Sequence, residues 1–353
     1  MPDIKEILSD AKKAGASDVH ITVGASPRMR VNGRLKIMDH YARLSPAETL
    51  EIVLDIMTEQ QREKFEDKGE FDMSLSLPQL GRYRVNAYKQ RGSVALTFRL
   101  VDTNIPSLET LCVPDVIMEL YRKSKGLILF TGPSGCGKST TMAAVTDMIN
   151  AYREALIITI EDPIEFLYHH KMALVNQREI GIDSKDYATA IRASIKEDPD
   201  VIVIGELADV DSIKAAISVA ENGHLVLAEV NATSTLRAIS KLIDYYQPDK
   251  QQQVRIQLAE ILQAVISQRL IPNTDGNGRV AAYEVLTANR KVKELLLEDK
   301  IYEIAGAFQN NDLENSITLD ESIFKLYKEG TISWDMVMQY AKDPEYIKYK
   351  LKA

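Results

Sequence analysis

One short stretch constrains this chain more than any other. Gly126-Leu127-Ile128-Leu129-Phe130-Thr131 is an apolar run of strand length, and it opens into Gly132-Pro133-Ser134-Gly135-Cys136-Gly137-Lys138-Ser139-Thr140-Thr141. The second part fits G-x-x-x-x-G-K-[ST], a loop whose backbone N–H groups cradle nucleotide phosphates. Its glycines let the backbone turn where a Cβ would clash. A helical pattern, Thr140 to Ala151, follows. Residues Gly132, Pro133, Ser134, Gly135, Cys136, Gly137, Lys138, Ser139 and Thr140 are therefore the expected nucleotide contacts. Lys138 is placed to reach the β- and γ-phosphates and Ser139 to face Mg²⁺.

From Asp115 onward the pattern alternates strand and helix. Strands are expected at Leu127–Phe130, Leu156–Ile160, Val201–Gly205, His224–Val230 and Val280–Val285, with helices between them at Asp186–Lys196 and Ser212–Glu221. Near-continuous apolar strands flanked by helices imply a parallel sheet buried on both faces. In such sheets ligands sit beyond the carboxyl ends of the strands. Two acidic groups stand there: Glu161-Asp162-Pro163-Ile164-Glu165 after the strand ending at Ile160, and Glu206 after Val201-Ile202-Val203-Ile204-Gly205. Mg²⁺-nucleotide chemistry needs one carboxylate on the metal, largely through water, and another to orient or deprotonate the attacking water. From about Lys291 onward the periodicity is helical.

The first hundred residues read as a separate, small α+β domain. Ile4, Ile7, Leu8, Ala11 and Ala14 recur at helical spacing up to Gly15. Short strands are expected at Val19–Val23 and Met29–Val31, with a turn at Val31-Asn32-Gly33-Arg34. Ser45, Pro46 and Glu48 form a capping box with proline at the first helical position, and Leu50, Val53, Leu54 and Met57 form the expected buried stripe. Period-two strands follow through residues 71–77, 83–87 and 94–100. Their polar positions carry Arg82, Arg84, Arg91 and Arg99, whose guanidinium forks suit either a solvated sheet face or a phosphate bound elsewhere. Asp102 to Pro114 reads as a linker, which gives domains at 1–101 and 115–353.

Composition narrows the function. A net charge of −8 argues against general nucleic-acid binding. The two cysteines, Cys112 and Cys136, form no C-x-x-C pair, which fits a reducing, cytosolic compartment. No signal-peptide pattern opens the chain, and no apolar run approaches the ~18 residues of a membrane span. Any link to a membrane is expected through a partner.

Four stretches now resemble the motifs of the PilT-type ATPases, the retraction motors of type IV pili within the secretion-ATPase superfamily. Gly132–Thr140 is similar to the Walker A loop of that family, and Ile160–Phe166 to its Asp box. Asp198–Glu206 resembles its Walker B segment, and Gly223-His224-Leu225-Val226-Leu227-Ala228 the first half of its His box. The likeness continues through Gly81–Ala87 and Leu258–Leu270. It implies a PAS-like N-terminal domain before a RecA-like α/β ATPase domain, a homohexameric ring, ATP and Mg²⁺, and a cytoplasmic place at the inner face of the membrane on a pilus platform protein. It also implies Glu206 as the Walker B acid on Mg²⁺, Glu165 as general base, His224 as a catalytic residue, and Arg82, Arg84 and Arg99 as candidates to meet the γ-phosphate.

The chain departs from the family pattern at three site positions. Walker B usually reads Gly-Glu-Met-Arg-Asp, but Ala208 replaces the arginine; Asn231 stands at the second His-box position; and Glu229 replaces a threonine. A lost positive or added negative charge at about 8 Å and an effective dielectric of about 20 is worth roughly 2 kcal/mol. The expected function is therefore a pilus-retraction motor ATPase. The alternatives are a weakly active or non-hydrolysing ring subunit that regulates a homologous motor, or an extension or type II secretion ATPase. The latter usually carry an extra N-terminal domain and a tetracysteine zinc element, so retraction type is favoured.

Overall fold

The computed structural model describes residues 3–31, 33–101, 104–276, 278–309 and 312–352. Two units divide the chain, residues 1–103 and 104–353.

The first unit contains α1 (Ile4–Lys13), β1 (Asp18–Ile21), β2 (Arg28–Val31), β3 (Arg34–Ile37), α2 (Pro46–Ile56), α3 (Glu59–Lys68), β4 (Glu70–Leu77), β5 (Gly81–Gln90) and β6 (Ser93–Leu100). Its antiparallel sheet has the order β3-β2-β1-β6-β5-β4. Sequence chemistry explains the helix starts. Glu48 accepts from the Ser45 backbone N–H at 2.7 Å while the Glu48 N–H donates to the Ser45 hydroxyl, so the capping box at α2 forms as expected. The buried stripe is rotated from the expected one: Thr49, Ile52, Val53 and Met57 face the core, and Leu50 is exposed. Ile52 and Val53 share a core with Val85, Leu96 and Phe98 of the sheet, and tertiary packing, not the local pattern, chooses the face. The expected turn at residues 31–34 includes Asn32, which lies outside the described residues.

The second unit contains α4 (Asp115–Met118), β7 (Gly126–Thr131), α5 (Lys138–Tyr152), β8 (Leu156–Glu161), β9 (Leu174–Glu179), α6 (Tyr187–Ser194), β10 (Val201–Ile204), α7 (Val210–Glu221) and β11 (Leu225–Val230). It continues through α8 (Thr235–Asp244), α9 (Pro248–Ile261), β12 (Leu262–Pro272), β13 (Arg279–Thr287), α10 (Arg290–Leu297), α11 (Ile301–Gln309), α12 (Leu319–Lys328), α13 (Trp334–Tyr340) and α14 (Pro344–Lys350). The seven-stranded sheet runs β13-β12-β7-β11-β10-β8-β9. Alternate residues of its strands feed two cores. Leu127, Leu129, Ile202, Ile204, Val226 and Ala228 pack toward α6 to α9, and Ile128, Phe130, Val201, Val203, Leu225 and Leu227 pack toward α5. Every residue of β7, β10 and β11 is buried. Burial on both faces is why these strands read as unbroken apolar runs.

The expected α/β class holds, with two corrections. The strand at Val280–Val285 belongs to β13, which pairs antiparallel with β12 at the sheet edge; the rest of the sheet is parallel. Residues in the expected 102–114 linker are partly core: Leu108 and Val113 are buried with Ile117, Ile128 and Phe130, while Asp102 and Thr103 lie outside the described residues. Prolines at 106 and 114 flank that apolar patch and gave it the look of a linker.

Candidate nucleotide site

Every side chain of the expected phosphate loop is carried by the turn from β7 into α5. Gly132 has φ +140, and a Cβ built on it would lie 2.6 Å from both the Gln268 carbonyl and the Cys136 sulfur. The loop therefore rests directly on the backbone of β12, and only glycine permits that approach. Gln268, itself buried, also accepts a hydrogen bond from the Thr141 hydroxyl at 2.7 Å, which ties the first turn of α5 to the same strand. Gly137, at φ +88, is the N-cap of α5 and supplies no capping side chain. The free N–H groups and positive dipole end of this helix form an anion site facing the loop.

Lys138 is buried, and its ammonium donates to the Gly132 and Pro133 carbonyls at 3.2 and 3.3 Å. Its third neighbour is the Glu229 carboxylate at 4.0 Å. Burial raises the Glu229 carboxyl to about 7, against the pull of the Ser139 hydroxyl that hydrogen-bonds it and of Lys138. The negative charges of Glu165 and Glu206 push it further in the same direction as burial.

A cavity of about 480 Å³ opens over the loop. Ser134, Gly135, Gly137, Lys138, Ser139 and Thr140 line one wall. Glu165 and Glu206 line the other, as the strand-end rule implied, with Glu161, Glu229, Asn231 and Arg279. Glu206 follows β10 and accepts a hydrogen bond from the Asn231 side-chain amide. Glu161 ends β8 and accepts from the Thr159 hydroxyl at 2.6 Å and the Gln177 amide at 3.1 Å. Burial pushes its carboxyl up despite those donors. Glu165 is the exposed carboxylate among these four glutamates.

His224 is not among the residues gathered here. It precedes β11, where its carbonyl accepts from the Gly126 N–H at 3.0 Å and its Nδ1 lies 2.7 Å from the Pro199 carbonyl. β7 and β11 run parallel, so His224 stands at the amino end of the sheet, and the loop lies at the carboxyl end. Strands of this length separate the two by roughly 15–20 Å. The expected catalytic role of His224 is corrected on that ground. Asn231, the second His-box position, is the one that reaches the cavity.

The three arginines stand on the first unit. Arg99 Nε donates to the buried Asp18 at 2.7 Å, and Arg84 sits directly across from Arg99 in the β5–β6 register. Arg82 Nη1 donates to the Ser76 hydroxyl at 3.4 Å. Arg99 thus has a structural partner on its own sheet.

Sequence reasoning missed Gln268 and Arg279. Gln268 lies within the Leu258–Leu270 likeness but is not singled out by it, because it reaches the loop only through the pairing of β12 with β7. Arg279 brings a cation to the cavity from β13.

Comparison with known proteins identifies the family. The model of the type II/IV secretion system protein family matches residues 1–337. The type IV pilus retractation ATPase PilT of Pseudomonas aeruginosa is 38% identical over 346 residues, covering 97% of this chain and 99% of the relative. The type IV pilus ATPase PilU of the same organism is 34% identical, covering 99% of this chain and 91% of PilU. The crystal structure of the pilus retraction motor PilT with bound ADP superposes with a TM-score of 0.91 at 41% identity, covering 99% of this chain and 100% of the other. The Legionella pneumophila ATPase DotB follows at a TM-score of 0.82 and 28% identity, covering 94% and 96%. By sequence and by fold, the chain belongs to the type II/IV secretion system protein family, among its PilT-type ATPases.

Proposed function

We propose that this chain is a motor ATPase that couples ATP hydrolysis to retraction of a type IV pilus. In this reading it works as a homohexameric ring at the inner face of the membrane, on an inner-membrane platform protein. The observation that carries the enzymatic part is the convergence of Lys138 and Ser139, at the start of α5, with Glu206 and Glu165 around one cavity.

The donors present fit Mg-ATP. Gly132 lets the loop turn close against β12, and α5, which has no capping side chain, presents its N-terminal N–H groups to the phosphates. Lys138 neutralises the β- and γ-phosphates once it turns from the loop carbonyls. Ser139 and Glu206 would hold Mg²⁺, Glu206 largely through water, and the metal would neutralise charge developing on the phosphate oxygens. Asn231 fixes the Glu206 carboxylate through its amide. Glu165 is exposed to the water that must attack, and acts as its general base. Positioning and electrostatics of this kind carry most of phosphoryl transfer.

ATP turnover by wild type and Lys138→Ala tests the reading. A loss of about 10²-fold or more in the variant is expected, from the magnitude of single electrostatic contacts in such sites. Equal, negligible rates in both would overturn it. A second reading, a weakly hydrolysing ring subunit that regulates a homologous motor, is favoured by the carboxylate of Glu229 beside Lys138. Deleting the gene distinguishes a retraction motor from an extension ATPase: over-piliated cells are expected from the first, bald cells from the second.

A further inference from the structure

Glu229 occupies the grip that a terminal phosphate would use. Its Cα is fixed in β11 opposite Phe130, and its carbonyl accepts from the Leu207 N–H at 2.8 Å. Its side chain is only 11% exposed, with Oε2 4.0 Å from the Lys138 ammonium and the Ser139 hydroxyl hydrogen-bonded to it. The strand fixes the point from which this carboxylate reaches Lys138. An incoming γ-phosphate must therefore compete with the Glu229 carboxyl for Lys138 and Ser139. A diphosphate, which ends one phosphate short, is spared that encounter.

We propose that Glu229 is a specificity-determining residue that sets the site to prefer nucleoside diphosphate over triphosphate, so that ADP is retained and its exchange for ATP is opposed. The proposal rests on the ATPase reading above. Two like charges about 6 Å apart at an effective dielectric near 20 would shift an equilibrium by roughly 100-fold, but a carboxyl raised to about 7 takes up a proton as the phosphate arrives, which limits the shift to roughly tenfold at about pH 8 and to less below it. The alternative physical role for such a carboxylate is an added ligand for Mg²⁺, which would tighten triphosphate binding and not weaken it.

The test is calorimetric titration of the full chain with ADP and with a non-hydrolysable ATP analogue, each with and without Mg²⁺. Wild type is compared with Glu229→Gln, which keeps the shape and removes the charge, and with Glu229→Thr as a second variant should the first misfold. At about pH 8, where the carboxyl is mostly ionised, removing the charge is expected to tighten the analogue about five- to tenfold, with ADP changing less than about threefold. Equal shifts for the two nucleotides would overturn the proposal, since a structural role predicts just that. Weaker Mg²⁺-dependent binding of the analogue in both variants would overturn it in favour of metal ligation. If wild type and variants bind neither nucleotide, the ATPase reading itself falls.

Discussion

Two glycines of one loop give a sharp test of how the phosphate site is built. Gly132 and Gly135 both have positive φ, +140 and +72, but their surroundings differ. A Cβ at Gly132 meets the Gln268 carbonyl and the Cys136 sulfur at 2.6 Å, whereas a Cβ at Gly135 meets nothing within 4 Å. Gly135→Ala therefore carries only the left-handed backbone cost, about 1 kcal/mol. Gly132→Ala adds overpacking of about 1–3 kcal/mol to backbone strain of about 1–3 kcal/mol, because the obstacle is backbone and not the end of a flexible side chain. The expected gap is about 2 kcal/mol or more, or roughly 4–8 °C in Tm for a domain of this size. Trp334, the chain's one tryptophan, lies in α13 of the second unit, so its fluorescence reports that unit's melting without nucleotide. Equal melting temperatures for the two variants would refute the claim that β12 shapes the loop.

Two further outcomes are expected. Burial would raise the Asp18 carboxyl, but the Ser17 hydroxyl and Arg99 overcome it and hold it below its ordinary value. A depressed carboxylate stabilises the fold above its unfolded pKa and loses that contribution as pH falls through the folded value. Asp18→Asn should then cost about 1 kcal/mol near pH 7, modest because Arg99 is largely exposed, and less near pH 3. Urea unfolding at both pH values checks this; an unchanged gap at pH 3 would contradict it. Cys136 is buried, with burial pushing its thiol up, and Cys112 is exposed. A maleimide should label one thiol quickly in the native protein and the second only on unfolding, and rapid labelling of both would contradict the burial.

The site was legible where its chemistry is local. Gly132, Lys138 and Ser139 announce themselves by spacing, and Glu206 by its place after an apolar strand. Gln268, Arg279 and the contact of Glu229 with Lys138 were not legible, because each depends on which strands lie side by side. His224 shows the limit from the other side. Its motif is recognisable, yet the rule that ligands gather at carboxyl ends of strands already excludes a residue that precedes its strand. In the fold, the buried parallel strands were readable as apolar runs. β12 was not, since Leu262–Pro272 continues directly from α9, and a short apolar run there has no period that separates strand from helix. β9 was hidden at the sheet edge, where four of its six residues are polar.

The position of β7 sets an order of events in the life of the chain. β7 ends at Thr131, but its two neighbours in the sheet begin only at Leu225 and Leu262. Pairings this far apart in sequence form slowly, after the long intervening loops have closed. During synthesis the phosphate loop leaves the ribosome well before Gln268, the residue on which it rests. A nascent chain thus carries the complete motif for a long interval without the strand that gives it shape. The most recognisable sequence in the protein is made early and becomes a site late.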